Sequence, residues 1–387
     1  MTKVACLTCF VPRRENVDGP SGLLYQILKW RPSNVTITVF LFSLDSKAHL
    51  DHPEVLELSE SGVQFVSCTT SPKQFQAPWY WPLGARQIRR SDMPDLSDFD
   101  TVWAYPYWFA PFLRDCQTPV LISGMDCATL LYWRKLKNTS VMAPTRFLRT
   151  AAGLIANALF EIRYLRSRHV HVVGQADAKA LQRVLVRATY IPHPLLDYQP
   201  VARLRRQPGH ALTFLISNPG DPIYGSTRYL RWVENLFNHS RNEIALRLIV
   251  HKGTPDALCA IKAAAHHYPQ VVVEPITWVD DYSVLLSTID IQLFPLDIGA
   301  GTKTSVLTAL QHGVHAICTP IAAENVQSNS LLFVADDRSQ PFDSALSRAI
   351  ASVKEGDSLP RQVETLNLHS PKGCGAQFWN YLKQDVR

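Results

Sequence analysis

A chain of 387 residues, 46% hydrophobic and 19% charged, is long enough for two ordinary domains and too apolar to be disordered. Its longest apolar runs are broken by Arg, Asp or Pro before the roughly 20 residues that a bilayer requires, and the opening Met1-Thr-Lys-Val-Ala-Cys-Leu-Thr-Cys-Phe lacks a signal-peptide core, so a cytoplasmic protein is expected. The net charge of +6 is uneven: a basic excess between Arg134 and Arg187 suits anionic lipid headgroups at the cytoplasmic face of a membrane, and no nucleic-acid motif accompanies it, so nucleic acid is not an expected partner.

The first strand is expected over residues 3–9. A polar loop follows, with Ser21 and Gly22 at its end, then a helical face of Leu23, Leu24, Ile27 and Leu28. Val35, Ile37, Val39 and Leu41 alternate as a second strand, and together these make a right-handed βαβ unit. A third strand runs over Val63 to Ser67. Pro78-Trp-Tyr-Trp-Pro-Leu83, beside Arg86, Arg89 and Arg90, fits either a membrane-interface or glycan-stacking surface or a core patch under a loop. Residues 101–109 form a strand end that spills into aromatics, and Tyr105 and Trp108 are candidates to stack on a sugar ring there. Pro119 to Arg134 reads as a strand ending at Gly124-Met-Asp126 with a helix directly after it. Asp126 is placed either to cap that helix or to face a ligand. Residues 140–168 are amphipathic and arginine-rich, Val170 to Gly174 is a strand, and Ile191-Pro-His-Pro194 is a turn. The polar stretch 197–210 is the expected linker.

In the second half, strands are expected over Leu212 to Ser217, Leu246 to Val250 and Val271 to Val273. Lys252, just past a strand end, is a candidate to reach a diphosphate. The stretch 291–324 is the most informative. A short buried strand ends at Phe294, Gly299-Ala300-Gly301-Thr302-Lys303-Thr304-Ser305 follows, and Val306, Leu307, Ala309 and Leu310 recur at helical spacing up to Gly313. Free N–H groups, a helix dipole, two hydroxyls and an ammonium at one place make an anion site. The spacing is not that of a Walker loop. A last strand is expected at Leu332 to Val334, a surface helix over Phe342 to Val353 and a final helix over Ala376 to Val386. The 8 cysteines are scattered, and Cys6 and Cys9 form a lone Cys-x-x-Cys without a second pair, so no metal site is expected.

The run Phe294-Pro-Leu…Gly-Ala-Gly-Thr-Lys…Val-Leu-x-Ala-Leu-x-x-Gly-Val…Thr-Pro-x-Ala-Ala-Glu324 resembles the donor-binding motif of GT-B glycosyltransferases of the family-4-like (group 1) kind. The resemblance implies an α/β chain of two Rossmann-like domains facing across a cleft. These would be an acceptor-binding domain over 1–196, the linker, a nucleotide-sugar-binding domain over 211–370 and a helix over 371–387 crossing back to the N-terminal domain. It implies a sugar transferase without a cofactor, taking a nucleotide-sugar donor and a glycan or lipid-linked glycan acceptor in cell-surface polysaccharide synthesis. It places Trp278 where the family seats the base, Glu324 and residues 299–305 at the donor, and Ser21 and Gly22 beside the acceptor. Asp126 matches an aspartate that deprotonates the acceptor in a xanthan-type glucuronosyltransferase family. Thr308 stands where the family has a ribose-binding Glu, and Ser305 where it has a second Lys. The paired carboxylates of retaining members are missing, which leans toward inversion, and no Asp-x-Asp metal motif is present. Two other readings stay open: a nucleotide-sugar epimerase of the same fold, and a non-catalytic sugar-binding protein.

Overall fold

The computed structural model describes residues 1–14, 19–43, 50–69, 78–124, 126–140, 142–166, 168–195, 211–221, 228–240, 245–336, 341–356 and 366–384. The expected linker, 197–210, lies outside them. The chain divides into two compact units, one of 1–197, 300–302 and 368–387, the other of 198–299 and 303–367.

The first unit holds a 7-stranded sheet, every pair parallel, in the order β3-β2-β1-β4-β5-β6-β7. Its strands are β1 (Thr2–Thr8), β2 (Val35–Ser43), β3 (Val63–Thr69), β4 (Thr101–Tyr105), β5 (Val120–Ser123), β6 (His169–Val172) and β7 (Arg187–Tyr190). The central strands are apolar on both faces, as a sheet covered on both sides requires. On one face Val4, Cys6 and Trp103 pack with Leu24 and Leu28 of α1 (Gly19–Lys29). On the other, Ala5, Leu7 and Ile122 pack with Phe109 and with Ala178 and Leu181 of a helix over Gln175–Arg183.

The C-terminal helix, Pro371–Gln384, belongs to this unit. Phe378 meets Trp103 at 4.7 Å between ring centroids, and the Trp379 indole N–H donates to the Ile27 carbonyl at 2.9 Å. The helix starts five residues earlier than the apolar pattern suggests. The Ser370 hydroxyl accepts from the Gly373 N–H at 3.0 Å, which holds the first turn. Gly375 packs so tightly that a Cβ there would lie 2.7 Å from Trp30 Cβ, so the glycine marks a close approach within the helix.

The second unit holds a 6-stranded parallel sheet in the order β10-β9-β8-β11-β12-β13. Its strands are β8 (Leu212–Ser217), β9 (Leu246–His251), β10 (Val271–Ile276), β11 (Ile291–Phe294), β12 (His315–Cys318) and β13 (Leu332–Val334). Phe214, Leu248, Leu293 and Ile317 build its core with Trp232 and Val233 of a helix over Arg228–Ser240. The helix over Phe342–Glu355, expected at the surface, buries Phe342, Ala345, Leu346, Ala349 and Ile350 in that core. These positions recur at three- and four-residue spacing, so the helix is two-faced. Strand order reverses between β8 and β11. The carboxyl ends of those strands are where an open α/β sheet binds ligands. Among the described residues no helix is long and apolar enough to cross a membrane.

Candidate functional site

The glycine loop leaves β11 at Phe294 and enters a helix over Thr304–Gln311. Lys303 is the N-cap residue. It has an extended backbone and no side-chain cap, so the first-turn N–H groups are not closed off by a cap side chain. Its side chain lies over Gly299: a Cβ built on Gly299 would stand 2.5 Å from Lys303 Cε, 2.9 Å from Nζ and 3.5 Å from Ile321 Cγ2. The ammonium, the flat face of Gly299 and the helix start at Thr304 and Ser305 therefore share one place. The Thr308 hydroxyl donates back to the Thr304 carbonyl at 2.9 Å, within its own helix. Glu324 lies in the turn after β12. That turn is tied to the loop because the Thr319 hydroxyl donates to the Leu296 carbonyl and accepts from the Ala322 N–H.

Ala300–Thr302 group with the first unit. The Gly301 N–H donates to Asp177 Oδ2 at 2.9 Å, and the Thr302 hydroxyl donates to the Val173 carbonyl. The other oxygen of Asp177 accepts from the Cys127 N–H at 2.6 Å. Asp177 is fully buried, and two N–H donors satisfy its charge. A Cβ at Gly174 would stand 2.0 Å from Asp177 Oδ2 and 3.0 Å from Gly301 Cα, so that position must stay bare. Within the loop, the Gly301 N–H thus already has a carboxylate. The part of the loop suited to an anion narrows to Gly299, Lys303, Thr304 and Ser305. Nothing local in the sequence marks these contacts, because the partners of Asp177 are far away along the chain.

Asp126 follows β5 and precedes a helix over Ala128–Lys137. It does not cap that helix. Cys127 does, its sulfur accepting from the Leu130 N–H at 3.4 Å. Asp126 is half-buried. Against the next residue, Cys127, lies Glu161, which sequence reading missed because it sits mid-helix, in Pro144–Leu165. Glu161 is buried, its Oε1 accepts from the Thr129 N–H at 3.3 Å, and burial pushes its carboxyl up. Burial first, then the charges of Glu161 and Asp126, push the enclosed Tyr107 phenol up as well.

The other first-unit candidates turn inward. Tyr105 is fully buried, and its hydroxyl donates to the Pro20 carbonyl at 3.0 Å. Ser21 and Gly22 are buried inside α1, with the Ser21 carbonyl accepting from the Arg13 N–H at 3.2 Å. All three residues are buried and do not line a surface. Trp108 is half-buried, its ring resting where a Gly84 Cβ would come within 2.1 Å. The 78–83 segment divides between exposed and packed residues. Trp79 and Leu83 are exposed, whereas Trp81 is packed edge-on against Phe112 and Tyr164.

In the second unit Lys252 follows β9 with φ of 52°, and its ammonium lies 5.8 Å over the Trp278 ring. Trp278 is 71% exposed, a flat surface open to stacking. Two features here escaped sequence reading. Arg228 Nε donates to Asp297 Oδ1 at 2.7 Å, which ties the helix after β8 to the loop after β11 across the point of strand reversal. Ser217, His251, Tyr282 and Gln292 also cluster beneath, with Gln292 Nε2 donating to the Tyr282 hydroxyl at 3.3 Å. Burial, then the Lys252 charge, push the His251 imidazole down. Both features join residues far apart along the chain, on strands, helices and loops that only the fold brings together.

Among the described residues no group of three or more His, Cys, Asp or Glu stands ready to hold a metal ion. No family model and no curated protein matches the sequence. Solved structures match over the whole chain. One, described as the OtsA apo structure, has a TM-score of 0.65 at 14% identity and covers 99% of each chain. Another, Anabaena Alr3699/HepE in complex with UDP and glucose, has a TM-score of 0.61 at 12% identity, covering 99% of this chain and 100% of that one. A third is the α,α-trehalose 6-phosphate synthase of Burkholderia multivorans, with a TM-score of 0.60 at 10% identity, covering 100% and 99%.

Proposed function

We infer, from a fold shared with these GT-B glycosyltransferases, that the chain transfers a sugar from a nucleotide-sugar donor to a glycan or lipid-linked glycan acceptor in cell-surface polysaccharide synthesis. The observation that carries this reading is Lys303 lying over Gly299 at the start of the helix after β11. A diphosphate on Gly299, Lys303, Thr304 and Ser305 would meet an ammonium and the positive end of a helix. The HepE structure was solved with UDP and glucose. Trp278, beside Lys252, offers a stacking face for the base, and Glu324 reaches the sugar side from the turn after β12.

In this reading the acceptor hydroxyl attacks the anomeric carbon, and the bond from that carbon to the diphosphate oxygen breaks. The diphosphate departs with the electron pair, and Lys303 and the helix start stabilise its growing charge. The hydroxyl proton goes to the Asp126 carboxylate. Attack from the face opposite the leaving group inverts the anomeric centre. In this reading Lys303 and the helix dipole fill the role that a cation plays elsewhere, so transfer is expected to proceed in excess EDTA.

A thermal-shift screen across UDP, GDP, dTDP and CMP compounds tests the donor site. One nucleoside diphosphate is expected to raise the melting temperature, and Lys303→Ala to abolish that shift. No shift from any of them would overturn the donor assignment.

A further inference from the structure

The helix over Pro144–Leu165, α4 in chain order, carries an exposed apolar face in addition to the face it buries, where a helix on a globular surface needs only the buried one. Thr150, Phe160, Glu161 and Leu165 point inward and are buried. Leu148, Ile155, Leu159 and Ile162 stand on the opposite side, and all four are exposed, by 66%, 55%, 45% and 41%. At about 100° per residue they form one stripe, roughly 20 Å long. Folding has already filled the inward face, so it gives no reason for the outward one.

Charge identifies what covers it. Between residues 128 and 168 there are eight Lys and Arg and one acidic residue, Glu161, which is buried. Arg149 and Arg163 flank the stripe. At its C-terminal end a hollow of about 320 Å³ is lined by Arg114, Arg163 and Arg168 with Tyr164 and Ala110. The Trp81 indole N–H donates to the Tyr164 hydroxyl at 3.2 Å, so the 78–83 segment, with its exposed Trp79 and Leu83, adjoins the same end.

We propose that the outward face of α4, the arginine hollow and Trp79 form a docking surface for an anionic phospholipid bilayer. The stripe sinks into the interface with α4 parallel to the membrane, and a lipid phosphate occupies the hollow. The helix lies in the interface and does not span it, since Arg146, Arg149, Glu161 and Arg163 interrupt its 22 residues. A second copy of the chain is the poorer occupant. A two-fold pairing of this face would set one arginine cluster against another in a buried contact. The proposal deepens the reading of a lipid-linked acceptor but is tested without donor or acceptor, so either can fail alone.

The test is co-sedimentation of the full chain with vesicles of neutral phosphatidylcholine, with and without about 30% phosphatidylglycerol, on the scale of charge attraction expected for such surfaces. Binding to the anionic vesicles is expected, falling about tenfold or more on neutral vesicles or in high salt. The variant I155E/L159E changes only exposed side chains. It should keep the parent melting temperature and lose binding about tenfold or more, as should Arg163→Glu. Undiminished binding by I155E/L159E would overturn the proposal. So would equal binding to neutral vesicles, or a dimer by light scattering that I155E/L159E dissolves while vesicle binding persists.

Discussion

Lys303 closes over Gly299, four residues before it, so tightly that a methyl group on the glycine would stand 2.5 Å from Lys303 Cε. The two positions are one device: the missing side chain at 299 gives the ammonium its resting place beside the helix start. Gly299→Ala should therefore push the lysine aside without unfolding the unit, because the clash falls on the end of a flexible chain. Nucleotide affinity by calorimetry should drop about tenfold, and about tenfold to a hundredfold for Lys303→Ala, the range of a lost charge-assisted hydrogen bond. Unchanged affinity in both variants would remove the phosphate from this loop.

Asp126→Asn should separate binding from chemistry. The amide keeps the size of the carboxylate and cannot take a proton, so kcat should fall by about 100-fold to 10,000-fold. Donor affinity should stay at the parental value. A variant with full turnover would exclude Asp126 as the base.

The C-terminal helix should prove indispensable to the first unit. Phe378 is fully buried against Trp103. Phe378→Ala should lower unfolding free energy by about 3–5 kcal/mol, the usual loss for a core aromatic, read from urea denaturation. A loss near zero would mean that this helix is not part of the core.

Acid should weaken the first unit through His171. Burial in the apolar core holds its imidazole down at about 3, against 6.5 when unperturbed. Its Nδ1 is paired with the Ser123 hydroxyl at 3.0 Å. Below about pH 6.5 the unfolded chain takes up a proton that the folded chain refuses. Stability is therefore full above that pH and declines as pH falls toward 3, by at most about 1.4 kcal/mol per pH unit from this group. His171→Asn should flatten that slope between pH 7 and 5, measured by urea midpoints, and an unaltered slope would contradict the assignment.

Much of the architecture was legible before folding was considered. Alternation in Val35–Leu41, the apolar runs ending at Phe294 and Cys318, and the Gly-Ala-Gly-Thr-Lys loop are local patterns. Local patterns report local structure, since strand and helix periodicity reflects which side chains meet the core. The motif at 294–324 also pointed to the fold that the solved structures share. The inward turn of Tyr105, Ser21 and Gly22 was hidden, because burial depends on what packs above a residue and not on its neighbours along the chain.

The sequence by itself determined the two parallel α/β sheets, the glycine loop at a strand end and the basic, amphipathic stretch after residue 140. Only the tertiary structure decided that Asp177 satisfies the Gly301 N–H, that Arg228 pairs with Asp297, that Glu161 lies buried against Cys127, and that α4 keeps an exposed apolar stripe opposite its buried face. Each of those is a meeting of groups brought together by chain crossings or by packing. No periodicity along the chain encodes which partners long-range packing selects.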